Sequence, residues 1–354
     1  MLIRIVPGRQ LAGEVQDWWL EAQRGNPALS SPYFSPEFTA AVSGVRDDIY
    51  VAVVEDKGAI VAILPFQRTR WGAGRPVGGP VSDFQGIISH GDVALDPQWL
   101  GRGCGVRFWD FPHMLPGQKT FRAFEKLTVD SPYLDLAAGF DAYCGSRRAA
   151  GSHQIRETQR KARRLGEEVG PLRFELDVVD KRVLQTLFMW KGQQYSATGK
   201  YDGLKQGWIP QLLHRIHDTR KADFAGVLSA LYAGEHLVAA HFGMRSERVL
   251  HWWYPVYNRE FERYSPGLIL CLELARAAGL RGIARIDLGY GDERYKLGFM
   301  SGAIKVSKVA VDATGFAHAL RTGWRVACKL VKATPLAAPA RQALGPLRRL
   351  LSLG

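Results

Sequence analysis

Three strand-like runs, Phe224 to Tyr232, Leu237 to Met244 and Val249 to Tyr254, follow one another with only short turns between them, which leaves an antiparallel meander as their natural pairing. The chain then writes a helix start: Ser265 suits the N-cap, Pro266 the first turn, and Leu268, Cys271, Leu272 and Ala275 form an apolar stripe ended by Gly279. Arg281 to Leu288 reads as a further strand, Asp292 to Phe299 as a short helix and Lys305 to Val311 as a final strand. A meander followed by strand, helix and strand restricts this half to an α/β (α+β) fold, a mixed sheet flanked by helices.

The first half repeats part of the pattern. Residues Val51 to Ile63 and Leu228 to Ala240 both read as strand, turn and strand, and the Val-Ala pairs at 61–62 and 238–239 lie 177 positions apart. A duplicated unit is expected from that spacing. With 354 residues and 46% apolar composition, the chain has material for two domains. These are expected at 1–146 and 147–312, followed by a tail at 313–354.

Between the halves, Arg147 to Val169 reads as a basic linking helix with Ile155, Thr158, Ala162, Leu165 and Val169 as its buried stripe. Lys181 to Ser196 reads as a second helix, stopped by Gly199, with Lys191 and Tyr195 one turn apart on one face. Net charge is +13, and seven Lys/Arg without an acid fall between Ala313 and Gly354. There, Phe316, Leu320, Trp324, Ala327 and Val331 oppose Arg321, Arg325, Lys329 and Lys332, a basic amphipathic pattern. Residues 316–351 are therefore an expected contact with an anionic membrane surface.

Four scattered cysteines form no CxxC pair and no metal-ligand spacing, so no metal site is expected. Without a signal-peptide core or 18 consecutive apolar residues, the expected location is the cytoplasm, peripheral to the inner face of the cell membrane. The sequence contains no GxxxxGK[ST] loop, GxSxG elbow, HExxH or strand-linked GxGxxG, so nucleotide hydrolysis, serine hydrolysis and zinc proteolysis find no support. The glycine clusters Gly72-Ala73-Gly74 and Gly101 to Gly105 read as loops.

Chemistry concentrates between His241 and Lys305. Arg263-Tyr264-Ser265-Pro266-Gly267 brings backbone N–H groups and a helix N-terminus to one turn, where an anionic donor could dock. Gly267 allows close approach and Arg263 could add a charge-assisted bond. The segment from Ile286 to Phe299 puts carboxylates, two tyrosines and a lysine just after a strand, where a parallel neighbour would deliver them to the same edge as that turn.

Six features in order, Ser31-Pro32-Tyr33-Phe34, the basic linking helix, Trp190-Lys191 with Gln194-Tyr195, Ala240-His241-Phe242-Gly243, Tyr264-Ser265-Pro266-Gly267, and Gly291-Asp292-Glu293 with Tyr295-Lys296, resemble the CelD/BcsL-like acyltransferase family. The likeness covers residues 31 to about 312. It implies two tandem Gcn5-related acetyltransferase folds, related in architecture to the Fem peptidyltransferases, and N-acylation of cell-envelope polysaccharide or sphingoid-type precursors. Tyr295 to Phe299 is also similar to the Phe-Lys-x-Gly-Phe segment of Fem proteins. The Q/R-x-x-G-x-G/A turn of coenzyme A-binding relatives is replaced here by Arg263 to Leu268.

The resulting expectation is acyl transfer from acyl-CoA, a co-substrate rather than a resident cofactor, to an amine. Glu293 or His241 is the candidate base, Asp287 an orienting group, and Lys296 or a backbone N–H near Trp253-Tyr254 the oxyanion donor. Tyr254 is the candidate acid toward the thiolate, and Lys191, Tyr195, Trp253 and Tyr295 are candidate substrate contacts. The first half, with Asp83, Arg107, Trp109 and His113, would then be a degenerate copy shaping the acceptor cleft. An acyl carrier protein remains an alternative donor. A Fem-like use of aminoacyl-tRNA, with the linking-helix arginines on its phosphates, is the enzymatic rival; a membrane-surface binding module is the non-enzymatic one. DNA is not an expected partner.

Overall fold

The computed structural model describes residues 1–199, 201–291 and 293–312. The expected amphipathic tail, 313–354, lies outside them. In chain order the first half contains β1 (Leu2–Pro7), α1 (Glu14–Gly25), α2 (Pro36–Ser43), β2 (Ile49–Asp56) and β3 (Ala59–Arg68). It continues with β4 (Ala73–Arg75), α3 (Pro97–Gly103), β5 (Phe108–Met114) and β6 (Glu125–Asp135). Then come α4 (Phe140–Ala149), α5 (Gln154–Glu168), β7 (Leu172–Glu175), α6 (Lys181–Thr198) and α7 (Trp208–His217). The meander is β8 (Ala225–Ala233), β9 (His236–Arg245) and β10 (Val249–Tyr257), followed by α8 (Pro266–Leu280), β11 (Arg285–Asp287), α9 (Arg294–Phe299) and β12 (Gly302–Asp312).

These elements pack as two units whose segments alternate along the chain. Met1–Ala22, Asp48–Thr128 and Val306–Asp312 form one; Gln23–Asp47 and Val129–Lys305 form the other. The contiguous halves expected at 1–146 and 147–312 do not coincide with these units, because Gln23–Asp47 packs with the second. Within that unit, Lys221 Nζ meets Glu37 Oε1 at 2.9 Å, Arg24 meets Asp223 at 3.2 Å, and Ser246 Oγ donates to the Ser30 carbonyl at 2.6 Å.

Each unit has the same strand plan. In the first, β1, β2, β3 and β4 are successive antiparallel neighbours, and β4 then pairs in parallel with β5. In the second, β7, β8, β9 and β10 repeat this, and β10 pairs in parallel with β11. The outer edge of β5 takes Ser307 to Asp312 of β12, while that of β11 takes Tyr133 to Asp135 of β6. Duplication, suggested in the sequence by one hairpin, thus extends to a whole sheet. The copies differ most in one strand and the helix after it: β4 and α3 are 3 and 7 residues long, where β10 and α8 have 9 and 15.

Several sequence expectations change locally. The linking helix is two helices, α4 and α5, separated around Gly151, whose φ is +78°. Ala73-Gly74 is strand rather than loop: a Cβ on Gly74 would lie 2.3 Å from the Trp109 ring, so only glycine lets the strand lie against that indole. Gly101 to Gly103 end a short helix because Asp96 caps it and Pro97 opens it. The strand expected from Arg281 begins only at Arg285, since Gly282, at φ +80°, belongs to the turn that leaves α8.

The second unit's core gathers behind β8 to β11. Ile269, Leu270, Leu272 and Leu274 of α8 are buried there with Ile155 and Leu165 of α5 and with Trp252. At roughly 1.5–3 kcal/mol for each large apolar side chain, this packing fixes where α8 begins relative to β10.

Candidate active site

β11 stops at Asp287, the third residue of its parallel pairing with β10, whereas β10 runs on to Tyr257. The two strands therefore share only Val249 to His251 against Arg285 to Asp287, and beyond that point β10 has an open edge. Pro255, which has no N–H to donate, sits on this stretch, where its missing donor breaks no ladder with β11. On its other side β10 carries a bulge. His251 pairs with Met244 but Tyr254 pairs with Phe242, so Trp252 and Trp253 together oppose Gly243.

Gly243 makes that bulge possible. A Cβ there would stand 2.1 Å from the His251 carbonyl oxygen and 2.8 Å from the His241 ring. His241, fully buried, stacks on Trp252 at 4.2 Å and 11° and accepts the Trp253 N–H at its Nε2 at 3.3 Å. The accepting Nε2 assigns the ring proton to Nδ1. Burial, then the neighbouring His251, lowers its pKa from 6.5 to about 3. The imidazole is consequently neutral near pH 7, with weak affinity for a further proton and its lone pair already engaged.

Because the folded pKa is depressed, His241 supports the fold fully above about pH 6.5 and loses that support as pH falls toward 3. The slope is about 1.4 kcal/mol per pH unit across that window. Urea unfolding of wild type and His241→Gln between pH 4.5 and 7 should show the steeper acid loss in wild type; parallel pH dependences would contradict a buried neutral imidazole.

At the far end of β10, a 3-10 segment Arg259–Tyr264 leads into α8. Ser265 holds the expected N-cap position, but in a left-handed conformation, φ 53° and ψ 53°, with no side-chain cap. Its hydroxyl instead accepts from Lys161 Nζ on α5 at 2.9 Å. Tyr264 is buried and its hydroxyl donates to Glu168, which also receives Arg164 and, at 3.1 Å, Arg263. The Tyr264 hydroxyl and then Arg164 hold the Glu168 carboxylate below its usual pKa. Arg263, expected to reach a phosphate, is thus already partnered. Lys161 also touches the turn, a contact 104 positions away in sequence and so not legible there. Pro266 opens the helix and Gly267, beside the Tyr257 ring, leaves its first turn accessible.

The Gly289 to Glu293 loop is pinned by Lys296. Its buried ammonium donates to the Gly289 and Tyr290 carbonyls at 3.2 and 2.9 Å and meets Glu293 Oε2 at 3.0 Å. Those three acceptors account for its three protons, which leaves none for an oxyanion. Gly291, at φ +134°, makes room for the pair: a Cβ there would be 2.4 Å from Glu293 Oε2. Glu293 itself is 44% exposed.

The remaining candidates sit around the open edge. Lys191 Nζ donates to the Pro255 carbonyl and to Gln194 Oε1, both at 2.9 Å, and lies over the Tyr195 ring. Trp253 and Tyr254 adjoin each other past the bulge, their ring centroids 5.1 Å apart. Tyr295 is largely buried against the core, and burial raises its pKa, with the Trp252 indole acting in the opposite sense. Asp287 is buried and accepts from Arg285 Nε and Nη2 at 2.7 and 3.3 Å. In register with Asp287 lie His251 on β10 and Tyr133 on β6. The Tyr33 ring, from Gln23–Asp47, packs edge-on to His251 at 5.0 Å and to Trp253 at 6.1 Å. His251 was missed in the sequence; the paired tryptophans after it, which break strand alternation, were the available signal. In the first unit, Trp109 is fully buried in the core and His113 is buried with its pKa lowered by burial.

Among the described residues, no group of His, Cys, Asp and Glu could hold a metal ion and no helix is long and apolar enough to cross a membrane. No curated protein matches the chain. Among solved structures, it is similar to the C-terminal domain (DUF2156) of a putative lysylphosphatidylglycerol synthetase from Agrobacterium fabrum, with TM-score 0.54 and 11% identity over 87% of this chain and 93% of that one. FemX gives TM-score 0.49 and 11% identity over 77% of this chain and 90% of that one. A tandem GNAT protein from the clavulanic acid biosynthesis pathway gives 0.49 and 11% over 88% and 98%. Residues 153–297, which contain the bulge, the turn and the pinned loop, match the acetyltransferase (GNAT) domain family, and this supports a transferase built on that fold.

Proposed function

We propose that the chain is an acyl-CoA-dependent N-acyltransferase acting on an amine of a cell-envelope precursor, an amino sugar or a sphingoid-type long-chain base. The observation that carries this reading is the open edge of β10 beyond the bulge, with the Ser265-Pro266-Gly267 turn at one end and the Glu293 loop after β11. A thioester lying along the edge would place its phosphates at the α8 N-terminus. Its carbonyl would reach the bulge, with a backbone N–H near Trp253-Tyr254 as the proposed oxyanion donor.

Glu293 is the assigned general base. It takes a proton from the amine as nitrogen attacks the carbonyl carbon, the C–S bond then breaks, and Tyr254 protonates the departing thiolate. His241 takes no proton in this scheme and holds the bulge, while Lys296 holds Glu293. The reading keeps the likeness to the CelD/BcsL-like acyltransferases, with the first unit as a degenerate copy and attachment to the inner membrane face through 316–351. Purified protein incubated with acyl-CoAs and a panel of amino sugars and long-chain bases should yield an amide of the summed mass and free coenzyme A. No amide from any pair, with the protein folded, would sink the proposal.

One observation favours aminoacyl-tRNA as donor: Arg156, Arg160 and Arg163 are exposed on α5, the helix whose Lys161 touches the turn. That donor would make turnover sensitive to ribonuclease and steeply dependent on salt.

A further inference from the structure

A cavity of about 250 Å³ lies between the C-terminal part of α6 and the segment joining β10 to α8. Trp190 and Tyr257 supply aromatic faces, Gln193 and Gln194 amides, and Arg259 and Glu262 charges. Resting on the acyl-CoA reading, we propose that this groove binds the nucleoside end of the donor, the base against Trp190 and the ribose toward the glutamine amides.

Position argues for this occupant. Tyr257 lines the groove, and its ring is 3.4 Å from the Cβ position of Gly267 in the phosphate turn. The groove therefore opens one side chain away from where the pyrophosphate would sit. Trp252 and Asn258 are six residues apart on β10 and its continuation, about 20 Å of extended chain. An acyl tail leaves the thioester at the bulge end and has no reason to return to this one, whereas a nucleoside must lie beyond the phosphates.

Chemistry agrees. A tail of methylenes would be opposed by the amides and charges, while a base offers a π-face for the indole and ring nitrogens for amide donors. The Gln194 Oε1 is occupied by Lys191 at 2.9 Å, which turns its amide N–H groups to the role of donor. Glu262 accepts the Tyr257 hydroxyl at 3.2 Å, so this carboxylate is held by the groove's own wall. Base–aromatic stacking corresponds to about a 5- to 150-fold change in affinity.

Titration calorimetry with coenzyme A and with 4′-phosphopantetheine tests the assignment. Trp190→Ala should weaken coenzyme A at least 5-fold and leave phosphopantetheine unchanged, with Trp190→Phe restoring most of the loss. Equal affinities of wild type and Trp190→Ala for coenzyme A, or an equal loss for both probes, would overturn it. Wild type binding phosphopantetheine as tightly as coenzyme A would also overturn the groove assignment while leaving thioester transfer intact. Binding of neither probe would instead remove the acyl-CoA reading itself.

Discussion

Gly243→Ala should abolish turnover and destabilise the protein by about 3 kcal/mol or more, because the new Cβ meets a backbone oxygen rather than a yielding side-chain tip. To make room, the His251 carbonyl must leave its place at 2.1 Å from the new carbon, and that place is the bulge. The bulge is in turn what sets the direction of Trp253 and Tyr254 at the open edge. Urea denaturation and steady-state turnover, measured together, check this. A variant with wild-type stability and activity would show that β9 and β10 tolerate regular pairing here, and the bulge would lose its part in the mechanism.

Glu293→Gln should lower kcat by about 10²–10⁴ with little change in stability, since the side chain is 44% exposed and glutamine can still accept from Lys296. The amine substrate adds a signature. A protonated amine cannot attack, so wild-type kcat/KM should rise with pH toward the amine's own pKa. In the variant, the remaining activity should depend on pH more steeply, because no side chain assists deprotonation. Undiminished turnover would transfer the base to another group, and the exposed position of Glu293 would then belong to loop anchoring alone. Lys296→Met should weaken both terms by releasing that loop, with loss of kcat exceeding any rise in KM.

Much of the second unit was legible because its signals are local. The meander, the stop of α6 at Gly199, the start of α8 at Pro266 and the buried Ile155, Thr158 and Leu165 of α5 all follow from periodicity and capping within a dozen residues. What was not legible depends on distant partners. Ser265 looked like a cap because serine usually is one, yet Lys161 takes its hydroxyl and the backbone turns left-handed instead. Arg263 has the residue type and place of a phosphate ligand, yet it is paired with Glu168, 95 positions away. His241, a natural base on residue type alone, is disfavoured by burial, which only the packed sheet reveals. Tyr33 shows the same limit from the other side: its Ser-Pro-Tyr-Phe motif stands out in the sequence, but nothing near residue 33 indicates that it lies against His251.

The exchange of closing strands has a consequence for the order in which the chain can become native. During synthesis β1 to β5 emerge early, but the strand that covers the outer edge of β5 is Ser307 to Asp312, which begins 193 residues after Met114. At about 5–20 residues per second, β5 waits on the order of 10–40 s for its neighbour. The segment Gln23–Asp47 likewise waits for the unit it joins. A nascent chain of this protein therefore carries an uncovered strand edge while the residues between Met114 and Ser307 are made, and the sheet of the first unit is complete only once β12 has joined it.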